Sequence, residues 1–331
     1  MLKINEFYPG DNLHLLSKVE GNSASLVYAD PPFGTGKEYY LRGTKTVAFA
    51  DFFTTRELVE FLHPRVEQVK RVLREDGCFF LHGNIRNFAY IQVLCDEIFG
   101  AENLVNTIIW KRMGGHKISK SMDNIVDTIL LYAKNKDRVR LNSNVIKRGW
   151  RKYSKVERET GRRFDTQPVE SSTNFKERGE VRTFYKPDGT QLQIKTNLGW
   201  KWVQETINKR WRENPYIFYF TKNGKVRYKI YEDERGGFRI NNLWDDIPHV
   251  VSRASESTGF PTQKPEKLLE RIIKLGSSVG DLVIDPFAGS GTTLTCSKRF
   301  NRKFIGMDNS PQSELVVRRR LKRVLRIKTL F

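Results

Sequence analysis

One segment, residues 283–293, constrains the fold of this chain more than any other part of the sequence. An apolar run ends at Asp285, a turn containing Gly289 and Gly291 follows, and residues with helical spacing come next. A second apolar run ends at Asp308, about 20 residues further on, where a carboxylate can take both hydroxyls of a ribose. The glycines let the backbone approach a ligand beside the helix N-terminus. The pattern predicts an α/β fold with a site for a nucleoside-containing cofactor, although turn glycines also occur without a ligand.

The same segment narrows the choice of cofactor. A dinucleotide fingerprint would have its third glycine at position 294, which is Leu294, so a nicotinamide cofactor is disfavoured. Asp285 comes directly after the apolar run, and its carboxylate suits a cofactor with a positively charged amino group. S-adenosylmethionine carries both an ammonium and a sulfonium. The segment therefore favours S-adenosylmethionine.

Changes in composition and in hydrophobic pattern divide the chain into three regions. Residues 1–135 and 251–331 alternate short apolar runs with amphipathic stretches, as an α/β domain does. Residues 136–250 are basic and aromatic, and two turn dipeptides, Asp188-Gly189 and Asn223-Gly224, predict hairpins there. We therefore expect a Rossmann-like sheet formed by the two outer regions, with a β-rich region inserted between them.

Local signals predict several individual elements. Residues 25–29 form an apolar run typical of a buried strand, and the run ends at Asp30. The capping box of residues 54–57 predicts the start of a helix. Ser310-Pro311 predicts the start of the last helix. On that helix we expect four side chains to point inward, those of Leu315, Leu321, Val324 and Leu325.

The charge balance points to a polyanionic partner. The chain has 58 Lys and Arg against 38 Asp and Glu, a formal net charge of +20. Such a balance favours nucleic acid or an anionic membrane as partner. No apolar run approaches the roughly 20 residues that span a bilayer, which weakens the membrane alternative.

Other features of the sequence exclude several classes of protein. The first residues lack a signal-peptide pattern, and the three cysteines, Cys78, Cys95 and Cys296, are too far apart for a C-x-x-C motif. A disulfide framework and a structural zinc site are therefore not expected, and a reducing cytoplasm is the expected location. The five histidines also lack the spacing of metal ligands, so we expect no metal.

A second acidic loop, residues 30–33, also follows a predicted strand directly. Pro31 and Pro32 lack backbone donors and stiffen the turn, so their carbonyls have little conformational freedom. Asp30 and a fixed carbonyl together provide two acceptors for an exocyclic amino group, and Phe33 provides a surface on which a base can stack. A rigid turn with a capping aspartate is the alternative interpretation.

Together the two loops resemble motifs of S-adenosylmethionine-dependent amino methyltransferases that act on DNA. Residues 30–33 match the catalytic D-P-P-[YFW] motif, and residues 285–291 match the cofactor motif. Residues 259–265 resemble the segment that precedes the cofactor motif. The catalytic motif comes first, the basic region second and the cofactor motif last. This is the β arrangement, similar to type III modification subunits and cell-cycle adenine methyltransferases.

The resemblance implies a circularly permuted methyltransferase sheet and a role for each region. Residues 1–135 would form the catalytic half of the methyltransferase domain, 136–250 the target-recognition region and 251–331 the cofactor-binding half. The implied catalytic residues are Asp30, Pro31, Pro32 and Phe33. The implied cofactor-binding residues are Asp11, Thr262, Gln263, Lys264, Asp285, Phe287, Gly289, Gly291, Thr292 and Asp308. Among these, Thr262, Gln263 and Lys264 would hold the carboxylate of the cofactor, and Asp308 its ribose.

The implied reaction is methyl transfer to the N6 amine of adenine in double-stranded DNA, by base flipping and direct in-line attack. N4-cytosine methylation, RNA as substrate and a non-catalytic DNA-binding regulator remain alternatives, and a dinucleotide oxidoreductase is a remote one. Dimers are common in this family, and some members pair with a restriction subunit.

Basic residues of the first two regions are the candidates for contact with the DNA backbone. They are Lys111, Arg112 and Lys117 in one loop, and Arg148, Arg151 and Lys152 in the basic stretch. A further basic run, residues 318–323, is interpreted as the solvated face of the last helix.

Overall fold

The structure of the protein, a computed structural model, contains two compact units. It describes residues 1–112, 124–142, 153–171, 179–234, 240–251 and 253–323 with their side chains, and the backbone of residues 324–328. The larger unit consists of Met1–Ile146 and Ile240–Phe331, and the smaller of Lys147–Arg239. The smaller unit is shorter at both ends than the predicted middle region. Val139, Leu141 and Ile240 pack against the core of the larger unit, which accounts for the difference.

The larger unit is built on a mixed sheet to which its described residues contribute eight strands. These strands are β1 (Glu6–Pro9), β2 (Ala24–Ala29), β5 (Leu73–Gly83), β6 (Leu104–Lys111), β7 (Val126–Ala133), β16 (Leu243–Trp244), β17 (Leu282–Asp285) and β18 (Lys303–Asp308), and a separate hairpin pairs β3 (Lys37–Tyr40) with β4 (Val47–Asp51). The order across the sheet is β1-β18-β17-β2-β5-β7-β6-β16. Strands from the end of the chain thus lie between strands from its beginning, which confirms the permuted arrangement.

Four neighbouring strands of this sheet, β1, β18, β17 and β2, run parallel. Their carboxyl ends therefore meet at one edge, where α/β sheets bind ligands. Asp11 lies two residues beyond β1, Asp308 and Asp285 end β18 and β17, and Asp30 directly follows β2. Four carboxylates from distant parts of the sequence thus come to one edge of the sheet.

The two faces of the sheet are covered by separate hydrophobic clusters. Side chains alternate along β2, so Val27 and Ala29 pack in the cluster that contains Leu62, while Leu26 and Tyr28 pack in the other. The α-helices that the structure describes in this unit are α1 (Asn12–Ser17), α2 (Thr55–Val72), α3 (Phe88–Phe99), α5 (Glu266–Gly276), α6 (Thr292–Arg299) and α7 (Pro311–Lys328). Layers of helix on both faces of a largely parallel strand set are the predicted α/β architecture.

The ends and faces of these helices test the local predictions. The capping box that begins α2 is confirmed, because Thr54 and Glu57 each accept a hydrogen bond from the backbone N–H of the other. For α7 the expected inward face is wrong at Leu315, which is 64% exposed, whereas Val317 is buried. Two residues correspond to about 200° of helix rotation, so both cannot face the core. Leu321 is half-buried against the same cluster as Val317.

The smaller unit combines short antiparallel strands with one described helix, α4 (Gln204–Glu213). The strands are β8 (Lys155–Val156), β9 (Arg163–Pro168), β10 (Glu170–Ser171), β11 (Val181–Tyr185), β12 (Gln191–Lys195), β13 (Gly199–Trp200), β14 (Phe218–Phe220) and β15 (Val226–Tyr231). Both predicted hairpins are confirmed, as β11–β12 and β14–β15. The sequence did not predict α4. Within the described ranges of the chain, the helices lack the length and hydropathy that spanning a bilayer requires.

Candidate active site

A cavity of about 410 Å³ lies at the edge of the larger unit's sheet where the four carboxylates meet. Most of the residues proposed for the site line this cavity, namely Asp11, Asp30, Pro31, Pro32, Phe33, Thr262, Gln263, Lys264, Asp285, Phe287, Gly289, Thr292 and Asp308. Gly291 is the one proposed cofactor residue that does not line it. The loops that begin at Asp30 and Asp285 therefore open onto one shared pocket.

Asp285 is a buried carboxylate at the base of this pocket. It is 2% exposed, and the backbone N–H of Phe287 donates to its Oδ1 at 2.9 Å. Burial raises the pKa of Asp285 to about 7, and the negative charges of Asp30 and Asp308 act in the same direction. Hydrogen bonds from Phe287 and Thr293 oppose that rise. A cationic ligand group would favour the ionised form of this carboxylate.

Asp308 connects the glycine turn to the last helix. Its Oδ2 accepts from the backbone N–H of Gly289 at 2.7 Å, and its Oδ1 accepts from that of Ser310 at 2.8 Å. Burial raises the pKa of Asp308 as well. Each carboxylate oxygen has more than one lone pair, so both can still accept from a ligand hydroxyl.

The glycine turn is supported from behind by α7. Gly291 has a φ of +75°, and a Cβ there would lie 2.7 Å from Val317 Cγ2. Arg320 Nη1 donates to the carbonyl of Ser290 at 3.0 Å and to Thr292 Oγ1 at 2.9 Å. Gly291 therefore gives the turn its left-handed backbone conformation and leaves room for Val317 of α7. Arg320 lies in the basic run interpreted as solvated, so that interpretation is wrong at this residue, whose side chain is 10% exposed.

Asp11 caps α1 and is coupled to the turn that follows Asp285. Its Oδ1 accepts from the backbone N–H of Leu13 at 2.8 Å, and its Oδ2 accepts from Arg65 Nη2 at 2.7 Å. Arg65 Nε donates to Asn12 Oδ1, and Asn12 Nδ2 donates to the carbonyl of Pro286, both at 2.6 Å. This chain of hydrogen bonds fixes one wall of the pocket.

The two oxygens of Asp30 have different surroundings. Lys264 Nζ donates to Oδ2 at 2.5 Å. Oδ1 is buried and has no hydrogen-bond partner among the residues that the structure describes. A buried acceptor without a donor is costly, so Oδ1 is available for an N–H group of a ligand in the pocket.

The loop that follows Asp30 is held by two residues that the sequence did not single out. The buried Asp51 accepts from the backbone N–H groups of Phe33, Gly34 and Thr35, at 3.1, 2.8 and 3.1 Å, and from the Thr35 hydroxyl at 2.8 Å. Asn87 Nδ2 donates to the carbonyl of Phe33 at 2.7 Å. These contacts fix the backbone that presents the Phe33 ring to the pocket.

A buried polar chain lies beside the Phe33 ring. The His82 ring lies 5.9 Å from it, with Nδ1 3.0 Å from the Tyr28 hydroxyl and Nε2 3.2 Å from Asp127 Oδ2. Arg112 Nε lies 3.2 Å from Asp127 Oδ1. Burial opposes ionisation of Asp127, but the hydrogen bond to His82 and the nearby cations lower its pKa. Arg112, a candidate for DNA contact, is thus engaged with a buried carboxylate.

The loop that precedes α5 supplies the remaining proposed cofactor residues. Gln263 Oε1 accepts from the backbone N–H of Thr258 at 2.9 Å, and its Nε2 donates to the carbonyl of Glu256 at 2.7 Å. Thr262 has a φ of +56°. Thr292 Oγ1 donates to the carbonyl of Lys264 at 3.2 Å. Gln263 therefore folds its own loop, and the side chain of Lys264 reaches Asp30.

The candidates for DNA contact are only partly described. Lys111 ends β6 and is exposed. Lys117, Arg148, Arg151 and Lys152 lie outside the described residues.

Comparison with known proteins gives consistent matches. Residues 24–316 match the model of the N6/N4 methylase family, described as DNA methylase. The chain is 28% identical over 318 residues to the type II methyltransferase M.EcaI of Enterobacter cloacae, covering 92% of this chain and 67% of that protein. It is 27% identical over 312 residues to the DNA adenine methyltransferase YhdJ of Escherichia coli K12, covering 94% and 80%.

Two further proteins, a type III Mod subunit and a cytosine-N4-specific methyltransferase, are also similar to this chain. A probable type III Mod subunit of Haemophilus influenzae is 25% identical, and the chain spans 50% of its length. Among solved structures, the cytosine-N4-specific PvuII DNA methyltransferase matches with a TM-score of 0.55 at 17% identity, covering 95% of this chain and 85% of that one. The latter shows a shared fold. Because the family model spans most of the chain, and because both predicted motifs line one pocket, this protein belongs to the N6/N4 family of DNA methylases.

Proposed function

We propose that the protein transfers a methyl group from S-adenosylmethionine to the N6 amine of adenine at specific sites in double-stranded DNA. The observation that carries the proposal is the buried Oδ1 of Asp30, an acceptor to which none of the described residues donates, in a pocket shared with Asp285 and Asp308. Membership of the DNA methylase family and the likeness to an adenine methyltransferase support it.

The pocket has the volume and the groups that S-adenosylmethionine requires. Its volume of about 410 Å³ lies in the range of small-molecule sites. Phe61 and Phe287 line it, and their ring centroids are 6.1 Å apart, which provides an apolar wall for a purine. The buried Asp285 suits the ammonium, and Asp308 can accept from the ribose hydroxyls. When bound, S-adenosylmethionine supplies an activated methyl group, so the protein contributes mainly positioning.

Asp30 and Pro31 would act on the amine that receives the methyl group. The lone pair of an exocyclic amine is delocalised into the ring, which makes it a poor nucleophile. Acceptance of its N–H groups by Asp30 Oδ1 and the Pro31 carbonyl favours a pyramidal nitrogen with a free lone pair. Acceptors that are already in place need no reorganisation during the reaction.

Phe33 would hold the target base outside the duplex. An adenine amine is not accessible in paired DNA, so the base must be flipped, at a cost of a few kcal/mol of unstacking. Stacking on an aromatic ring offsets about 1–3 kcal/mol per base. Because Asp51 and Asn87 hold the Phe33 backbone, the point from which the ring projects is set before the base arrives.

Duplex DNA is the partner that the charge distribution supports. Residues 147–239, the smaller unit, contain 23 basic and 12 acidic residues. We propose that this unit contacts the phosphate backbone through its basic residues, among them Arg148, Arg151 and Lys152. Lys111 and Lys117 of the larger unit would contribute further phosphate contacts.

The proposal is tested by incubating the protein with methyl-labelled S-adenosylmethionine and duplex DNA of mixed sequence. After digestion to nucleosides, the label should appear in N6-methyldeoxyadenosine. Label in N4-methyldeoxycytidine would overturn the choice of adenine. Label in a parallel RNA sample alone would overturn the choice of DNA, and the absence of label from every sample would overturn the methyltransferase proposal.

A further inference from the structure

Lys264 makes a contact that the resemblance to known methyltransferases does not imply. Its ammonium lies 2.5 Å from Asp30 Oδ2, and the two side chains are 11% and 17% exposed. The same nitrogen lies 5.3 Å from the centroid of the Phe33 ring. Lys264 therefore touches two members of the catalytic loop from the opposite end of the chain.

The backbone of Lys264 is held in a way that aims this side chain. Its carbonyl accepts from Thr292 Oγ1 at 3.2 Å, and the next residue, Pro265, caps α5. Gln263, which precedes it, is tied by its side chain to Thr258 and Glu256. The lysine is thus anchored at its base, and its ammonium ends at Asp30.

The contact with Lys264 gives the two oxygens of the Asp30 carboxylate different roles. Asp285 and Asp308 line the same pocket, so Asp30 is one of several acidic groups in a small volume. A nearby cation balances that charge, and the hydrogen bond to Oδ2 limits rotation of the carboxylate. Oδ1 is then the oxygen left to accept from a ligand.

We infer that Lys264 is a positioning residue for Asp30: it holds Oδ2 and keeps Oδ1 directed at the target amine. This inference rests on the proposed function. It replaces the implied role of Lys264, in which the ammonium holds the cofactor carboxylate. The two roles predict different outcomes for cofactor binding and for turnover.

Binding of two cofactor-related ligands separates these roles without requiring any turnover. S-adenosylhomocysteine carries the amino-acid carboxylate, whereas 5′-methylthioadenosine lacks it. For Lys264→Met we expect the affinity for both, measured by calorimetry, to stay within about threefold of wild type, because the ammonium is engaged by Asp30. A drop of tenfold or more for S-adenosylhomocysteine alone would restore the carboxylate-binding role and overturn the inference.

Turnover at saturating cofactor provides the second measurement. With methylatable duplex DNA, kcat of Lys264→Met should fall about 100-fold, the size of effect produced by a misplaced catalytic group. Lys264→Arg should retain more activity than Lys264→Met, since a guanidinium can still pair with the Asp30 carboxylate. Its activity should stay below that of wild type, because the geometry of the pair differs. If wild-type protein methylates DNA and Lys264→Met turns over at the wild-type rate, the inference fails alone. If wild-type protein methylates no nucleic acid, the proposed function fails, and the binding and melting results still stand.

Melting temperatures test whether the pair forms in solution. Removing one partner of a buried ion pair leaves the other uncompensated, whereas removing both relieves that cost. We expect Asp30→Asn with Lys264→Met to lower the melting temperature by less than the sum of the two single effects. Additive losses would show that the residues act independently and would overturn the inference.

Discussion

The two halves of the pocket use carboxylates in different ways. In the cofactor half, Asp285 and Asp308 accept from backbone N–H groups of their own turns, at Phe287, Gly289 and Ser310. In the target half, Asp30 Oδ2 accepts from Lys264, which is distant in the sequence, and Oδ1 has no partner among the described residues. The carboxylates of the cofactor half therefore hold the backbone turns around them. In the target half, one carboxylate oxygen, Asp30 Oδ1, is left to accept from a ligand.

Because of this difference, we expect substitutions in the two halves to affect different measured quantities. Loss of a turn-shaping carboxylate alters the cofactor site itself, and affinity for cofactor should suffer first. Loss of the Asp30 acceptor leaves the cofactor half intact, and turnover should suffer first.

Asp30→Ala removes both acceptor oxygens from the target half. We expect turnover to fall by at least about 10³-fold, the upper range for loss of one preorganised stabilising group. The affinity for S-adenosylhomocysteine should stay within a few-fold, because the turns at Asp285 and Asp308 are held by their own backbone hydrogen bonds. Methyl incorporation and calorimetry give the two numbers, and Asp30→Asn provides an isosteric comparison. Retained turnover in Asp30→Ala would reject the catalytic role.

Asp51→Asn tests whether the target half depends on its fixed loop. The amide keeps the size of the carboxylate but replaces one acceptor oxygen by a donor facing the N–H groups of Phe33 to Thr35. We expect kcat to fall about 100-fold through misplacement of Phe33, with cofactor affinity nearly unchanged. Thr35→Val removes one of the four hydrogen bonds and should show a smaller loss. Equal losses of kcat and cofactor affinity would contradict the separation of the halves.

Asp285 tests the cofactor half through pH. Since burial raises the pKa of Asp285 to about 7, its contribution to stability is complete below about pH 4 and is lost as the pH rises through 7. The melting temperature of the cofactor-free protein should therefore fall from about pH 4 to pH 7 and level off above that. Between pH 6 and 8 the affinity for S-adenosylhomocysteine should change in the opposite direction and rise about tenfold, because its ammonium favours the ionised carboxylate. Asp285→Asn should flatten both profiles, and a variant that keeps the wild-type slopes would contradict the assignment.

The elements that could be predicted are those whose signals lie close together in the sequence. The capping box at Thr54, the hairpin turns at Gly189 and Gly224, and the carboxylates at strand ends each depend on a few adjacent residues. Asp30 and Asp285 line one pocket because the parallel neighbouring strands β2 and β17 end at the same edge of the sheet. The position of the site therefore follows from local patterns and one rule of topology.

The remaining features depend on partners far apart in the chain. Arg320 on α7 supports the glycine turn, and Asp51 holds the catalytic loop across the β3–β4 hairpin. The partner of Lys264 is set by how α5 packs beside β2, which no local pattern records. Leu315 is apolar and is predicted to point inward, but Val317 fills the space beside Gly291. Val317 lies one i,i+4 step from Leu321, so helical spacing brings these two side chains, and not Leu315, to the same face.

The smallest expected effect concerns the approach of DNA to the rim of the pocket. DNA affinity of the wild-type protein should fall steeply with salt, since phosphate contacts release counterions. Lys111 is exposed, so Lys111→Ala should lower affinity a few-fold and reduce the salt slope by about 1. Arg112 pairs with the buried Asp127, so Arg112→Ala should leave the salt slope unchanged and lower the melting temperature instead. Titrations of a fluorescent duplex at several salt concentrations measure both slopes. A flat salt dependence for wild-type protein would contradict phosphate contact, and a reduced slope in Arg112→Ala would show that this arginine leaves Asp127 to reach DNA.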